Sequence, residues 1–224
     1  AGSYQGGARF RNYLDDIKKD AVASIPETQK TPALTRIINT APKDNTPQFT
    51  GKPRGFVKMW TMADLAGLLG AGLEGGRDYK NGRKMFGTGA CFVCHRFNNE
   101  GGAVGPDLTS VAGRFTPHDL LESIVDPGRE ISDQYGASIF KLKDGSSLVG
   151  RIMNLKENSY WINTDMMTPS TISKVDVKLI ESIEPSPVSM MPPGLLATMK
   201  QDDILDLLAY LLASGNPEDA LFSN

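Results

Sequence analysis

The strongest hydrophobic pattern in the chain is Ile204, Leu205, Leu207, Leu208, Leu211 and Leu212. These form a broad apolar face at helical spacing and predict a helix over 201–213. Asp202 and Asp203 sit at its N-terminus, where the helix dipole favours negative charge, and Gly215 and Pro217 end it. A second apolar face, Leu120, Leu121, Ile124 and Val125, follows Thr116-Pro117, an N-cap and a first-turn proline. Asp126-Pro127-Gly128 closes that helix. Thr61, with Asp64 three residues on, predicts a capped helix over 62–69 that stops at Gly70 and Gly72. Another helix is expected from about 77 to 86, ended by Gly87 and Gly89. From 135 to 183 the period changes to two. Ser138-Ile139-Phe140-Lys141-Leu142 alternates and Asp144-Gly145 is a hairpin turn. Residues 148–153, 160–164, 171–175 and 178–183 are further strands. Five short strands in about fifty residues predict a small antiparallel sheet or barrel.

The first 55 residues carry no comparable pattern. They are rich in Pro, Gly, Thr, Asn and Gln, with helical spacing only at 4–23 and 34–39. They read as an extended arm or linker. Residues 1–60 hold 10 basic and 5 acidic side chains, a net of +5, whereas 185–224 hold only Lys200 against 5 acidic ones, a net of −4. That polarity either orients a docking partner or lets the arm lie on its own domain. The whole chain, 224 residues with 40% hydrophobic and 22% charged, has a globular composition. Its net charge of −2 argues against nucleic acid as a partner, and no apolar run is long enough to span a membrane.

The candidate chemistry lies in Cys91-Phe92-Val93-Cys94-His95, which contains both cysteines of the chain. C-x-x-C alone also fits a redox dithiol or half a zinc site. Neither needs the following His, and two cysteines are too few for a four-thiolate site. C-x-x-C-H is the attachment pattern of a c-type haem. Thiols one helical turn apart add to two vinyl groups of one macrocycle, and the next His lies under the iron.

An iron held by His95 has a second face to fill. A thioether there raises the reduction potential and suits electron transfer, whereas an open position admits small ligands. Nine methionines are present, most of them expected in cores. Met190-Met191-Pro192-Pro193-Gly194 is a proline-stiffened loop just before the last helix. Met191, directly before Pro192, is the leading candidate, with Met190, Met199 and His118 behind it.

These features resemble class I c-type cytochromes. The resemblance rests on Gly82 and Phe86 before the haem motif, on Cys91-x-x-Cys94-His95, on Gly105-Pro106-x-Leu108 with Arg114 beyond, and on Met191-Pro192 before Leu207-x-x-Tyr210. It implies a mainly α fold in which Gly82, Phe86, Leu207 and Tyr210 pack where the first and last helices cross. It also implies that the Pro106 carbonyl accepts from the His95 ring. Arg114 is then a partner for a haem propionate, with an ordinary surface arginine as the alternative. The 96 positions between His95 and Met191 exceed what a minimal domain of that kind needs, and the strand segment at about 135–184 fills the excess. Ser186-Pro187-Val188-Ser189-Met190-Met191-Pro192-Pro193-Gly194-Leu195 makes the chain similar to the planctomycete-type haem-binding domain, in which strands interrupt the core. The domain expected is 56–214, with a short tail at 215–224.

The function implied is that of a monohaem electron carrier with one covalent haem c on Cys91 and Cys94. Its iron would be held by His95 and Met191, with Pro106, Leu108 and Arg114 around the group. No nucleophile–base pair or phosphate loop points to an enzyme. The expected partners are redox proteins, including an upstream fused or associated dehydrogenase. The expected location is periplasmic or exported, because the family attaches its haem outside the cytoplasm. Two alternatives stand beside this: a haem enzyme or gas- or peroxide-binding sensor with a labile sixth ligand, and an interaction module with a structural haem.

Overall fold

The computed structural model describes residues 54–223 apart from 103, 167 and 169–171, together with 22, 24–26 and 31. The expected N-terminal arm and its two helical stretches lie almost wholly outside the described residues. Among the described residues, no helix is long and apolar enough to cross a membrane.

The helical part begins with α1 (Met62–Leu65), a 3-10 turn (Ala66–Leu68) and α2 (Leu69–Gly72). The Thr61 amide donates to Asp64 Oδ2 at 3.0 Å, so the capping pair forms as the spacing predicts. The helical path does not stop at Gly70. Leu65 and Leu69 are buried, and that anchorage carries the turn on to Gly72. Helix α3 (Tyr79–Thr88) is capped by Asp78, whose carboxylate accepts from the Lys80 and Asn81 amides. A single turn, α4 (Cys91–Cys94), follows. Helix α5 (Pro117–Val125) starts at Thr116, whose hydroxyl accepts from the Asp119 amide. The last long helix, α6 (Gln201–Leu212), is the most deeply buried, with eight consecutive residues from Ile204 to Leu211 inside.

Helices α3 and α6 form the centre of the larger core. A Cβ placed on Gly82 would lie 2.3 Å from the Asp206 carbonyl oxygen and 2.8 Å from Tyr210 Cβ, so only glycine permits this approach. The Phe86, Phe97 and Tyr210 rings pack beside it, with Phe97 and Tyr210 5.0 Å apart. Asp206, itself buried, holds the two helices together. It accepts from the Asp78 amide (3.1 Å) and Asn81 Nδ2 (2.8 Å), and Arg77 lies 3.6 Å away. The final turn, Ala220–Phe222, folds back on the start of α3. The Arg77 amide donates to the Leu221 carbonyl, and Phe222 meets Tyr79 edge-on at 5.4 Å.

A short hairpin follows the cysteine turn: β1 (Arg96–Phe97) and β2 (Glu100–Gly101), antiparallel. Asn98 and Asn99 turn the corner with φ of 50° and 65°. The larger sheet consists of β3 (Ser138–Leu142), β4 (Ser147–Lys156), β5 (Ser159–Asn163), β6 (Ile172–Asp176) and β7 (Ile180–Pro185). Its order is β6-β5-β4-β3-β7, antiparallel throughout. Asp144-Gly145 makes the β3–β4 turn, with Gly145 at φ 86° and the Asp144 carboxylate accepting from the Ser146 amide. Phe140, Ile162 and Val175 form a second, smaller core on one side of this sheet.

The expectation of a mainly α fold is therefore corrected. A five-stranded sheet stands beside the helices, and β4 alone runs ten residues. Period-two alternation through 138–185 builds an independent core rather than a decoration on the helical one. That agrees with a β unit inserted in the helical part.

Candidate functional site

The site is built on the turn that follows α3. The Gly89 amide closes α3 on the Met85 carbonyl (2.9 Å), and Ala90 takes a left-handed conformation, φ 55°. The chain then makes one helical turn, with the His95 amide donating to the Cys91 carbonyl at 2.8 Å. Positions three apart share a helix face, so Cys91 and Cys94 present their sulfurs together. His95 leaves the turn extended, at φ −103° and ψ 140°, and its ring projects beside the thiols. All three line one cavity of ≈ 590 Å³.

The loop 101–108 backs that turn. The Gly102 amide donates to the Phe92 carbonyl (2.7 Å), the Gly105 amide to the Cys94 carbonyl (2.8 Å), and the Leu108 amide to the Arg96 carbonyl (2.8 Å). These bonds bring the Pro106 carbonyl to 2.8 Å from His95 Nδ1, which donates to it. With Nδ1 committed, Nε2 is the nitrogen left to bind a metal. Burial lowers the pKa of this imidazole, opposed by the Pro106 carbonyl, so the ring is held neutral as a metal donor must be.

Apolar side chains form the remaining walls, among them Phe86, Leu108, Val111, Leu120, Leu207 and Leu211. Burial pushes the Cys91 thiol up to about 12 and raises Cys94 as well, with Asp165 adding to the latter. Met190, Met191, Pro192 and Leu195 line the same cavity, although they lie about a hundred residues from the cysteines. The Met191 amide donates to Ser189 Oγ at 3.1 Å, and the Trp60 indole donates to the Met199 carbonyl at 3.0 Å, fixing the two ends of this segment. Met199 is fully buried in the helical core and does not line the cavity. His118 lies on the exposed side of α5 beside Asp119, also outside it. Arg114 lines the cavity from an exposed position, and its guanidinium donates to the Asp107 carbonyl at 3.3 Å.

Every predicted site residue, Cys91, Cys94, His95, Pro106, Leu108, Arg114 and Met191, therefore borders one space. Its volume lies within the range of about 300–1,000 Å³ usual for cofactor-sized sites. Two thiols one turn apart, a neutral imidazole and an apolar enclosure fit a covalently held haem.

Sequence reasoning missed one wall. Glu130, Ile131, Ser132, Gln134 and Tyr135, after α5, line the cavity, and so does Met166 from the β5–β6 connection. The Cys94 thiol donates to the Met166 carbonyl across 3.7 Å. The inserted sheet thus reaches the edge of the site, and nothing in the local pattern around Met166 signals that contact.

Residues 79–157 match the family model described as Cytochrome c. No curated protein matches the chain. The match opens at the first residue of α3 and ends just past β4, so it contains the cysteine turn and the Pro106 loop and stops short of Met190 and Met191. The chain therefore carries a c-type cytochrome domain, with haem c, attached through Cys91 and Cys94, as its cofactor.

Proposed function

We propose that the protein is a monohaem electron carrier whose iron is held by His95 on one face and Met191 on the other. The observation that carries this reading is the shared cavity: the cysteine turn, His95 and the Met190–Met191 loop all line it. Haem c, when bound, supplies a one-electron Fe(III)/Fe(II) couple. The remaining tasks fall to the chain. Cys91 and Cys94 tether the group, and the Pro106 carbonyl fixes the His95 tautomer and raises its donor strength. Leu108, Val111 and Leu207 exclude water, which favours the less charged state of the centre. Arg114, at the cavity's exposed side, is assigned to a propionate.

Met191 is preferred to Met190 because Pro192 restrains the backbone on its C-terminal side. The partners are redox proteins, in this reading a dehydrogenase fused to or associated with the domain, and the location is periplasmic or exported. The β unit at about 135–184 is read as an insertion of the planctomycete type.

Visible spectra of the haem-loaded protein, oxidised and reduced, with and without carbon monoxide, test the assignment. A low-spin spectrum with a weak far-red methionine–iron band and no carbon monoxide shift is expected. Met191→Ala removes that band and admits carbon monoxide, whereas Met190→Ala changes neither. A high-spin wild type, or a prompt carbon monoxide shift, refutes the reading in favour of a ligand-binding haem protein.

A further inference from the structure

We propose that Arg151, on strand β4 of the inserted sheet, is a positioning residue for the His95 imidazole. The inference rests on the haem-site reading above and extends it to a residue outside the site.

The Arg151 guanidinium does two things at once. Its Nη1 donates to the Val104 carbonyl at 2.5 Å, and its planar head lies 4.7 Å from the centre of the Tyr135 ring. Val104 is buried, and Tyr135 lines the cavity. The segment that Arg151 grips is the one that touches the imidazole. Gly105, next in sequence, leaves so little room that a Cβ there would lie 2.8 Å from His95 Cε1. Its amide is bonded to the Cys94 carbonyl, and Pro106 accepts the His95 Nδ1 proton. Residues 104–106 are therefore held between the cysteine turn on one side and a guanidinium from the sheet on the other.

The consequence is mechanical. The ring Nδ1–H···O bond has the right length only while the Pro106 carbonyl stays in place. Three local bonds hold the loop from the cysteine side. Arg151 supplies the opposing hold, from a strand nearly fifty positions further along. A charge-assisted bond to a carbonyl, stiffened by stacking on an aromatic face, is suited to this work because the fork cannot swing without losing the Val104 bond and the Tyr135 stack. The inserted sheet thereby sets how rigidly the imidazole is presented.

The test follows the His95 ring proton and the Gly105 amide by NMR in reduced, haem-loaded full chain, reading their exchange with solvent. In wild type both protons are expected to exchange slowly. Arg151→Met keeps most of the packing and removes the donor; both protons are expected to exchange about tenfold faster or more. Arg151→Lys retains a donor without the stacked plane and falls between the two. Tyr135→Leu removes the stack while keeping an apolar side chain at the cavity wall, and moves in the same direction, which keeps the proposal testable if Arg151→Met fails to fold. Lys174→Met, a cation removed from the Trp161 ring elsewhere on the same sheet, leaves both protons as in wild type. Wild-type exchange in both Arg151→Met and Tyr135→Leu overturns the positioning role. Wild-type protein that takes up no covalent haem overturns the site reading instead, and a denaturing gel stained for haem separates that failure from the first.

Discussion

Replacing Gly82 with Ala adds one methyl group at the tightest point between α3 and α6. That carbon would start 2.3 Å from the Asp206 carbonyl oxygen, 0.7 Å inside the 3.0 Å limit that real Cβ atoms respect. The obstacle is backbone on a buried helix, so rotamer changes cannot relieve it. The helices must separate, and the overpacking alone costs about 1–3 kcal/mol. Separation also lengthens the bonds from the Asp78 amide and Asn81 to the buried Asp206 carboxylate. Weakening one bond to a buried charge adds about 1.5–3 kcal/mol. Ala is the better helix former by about 1 kcal/mol, which offsets part of this. The net expectation is a loss of about 1.5–5 kcal/mol. Urea unfolding of the haem-loaded protein, followed by far-UV circular dichroism, measures it as a lower midpoint at unchanged slope. Gly70→Ala is the control, because a Cβ there meets nothing within 4 Å and is expected to stabilise by about 0.5–1 kcal/mol. A Gly82→Ala variant within about 0.5 kcal/mol of wild type would refute the claim that the helix approach depends on glycine.

Two further outcomes follow from the same geometry. The Asp64 carboxyl is held down to about 2, first by Lys58, then by the Thr61 hydroxyl and amide. A depressed carboxyl stabilises the fold above its ordinary value of 3.8 and loses that contribution as pH falls towards 2, so melting temperature should drop across that interval less steeply in Asp64→Asn. Equal slopes would remove Asp64 from the acid response. At the haem turn, Cys91→Ser with Cys94→Ser should release all haem on a denaturing gel, whereas each single variant keeps it through the remaining sulfur. Haem retained by the double variant would mean attachment elsewhere.

How much of this was legible in the chain depends on how local each signal is. The cysteine turn is written in five consecutive residues. The strands follow from alternation, and the β3–β4 turn from Asp144-Gly145. The packing of Gly82, Phe86, Leu207 and Tyr210 came from the family resemblance and is present in the helical core. The β1–β2 hairpin is absent from the expectations, although Asn98-Asn99 is a two-residue loop of the type that takes positive φ at both positions. The expected mainly α class follows from the helices of the resembling segments, and the strand pattern beside them is of nearly equal extent. Gly70 misled for a different reason: burial of Leu65 and Leu69 overrides its weak helix propensity. Met166 and Arg151 could not be read at all. Each acts at the site through a contact across 47 or 72 positions, and period and composition carry no information about such pairs.

The contact between Gly82 and Asp206 spans 124 positions, and that distance orders assembly. Most of the sheet is knitted from neighbours, with β3 meeting β4 across a four-residue turn and β4 meeting β5 across two residues, and only the β3–β7 edge joins distant strands. Such pairings close quickly, whereas the α3–α6 contact must close a loop that contains most of the domain. The cysteine turn therefore lies more than a hundred residues before the helix that helps to bury it. Until α6 docks, the cavity lacks the wall that Leu207 and Leu211 supply, and the two thiols are more open than in the closed domain.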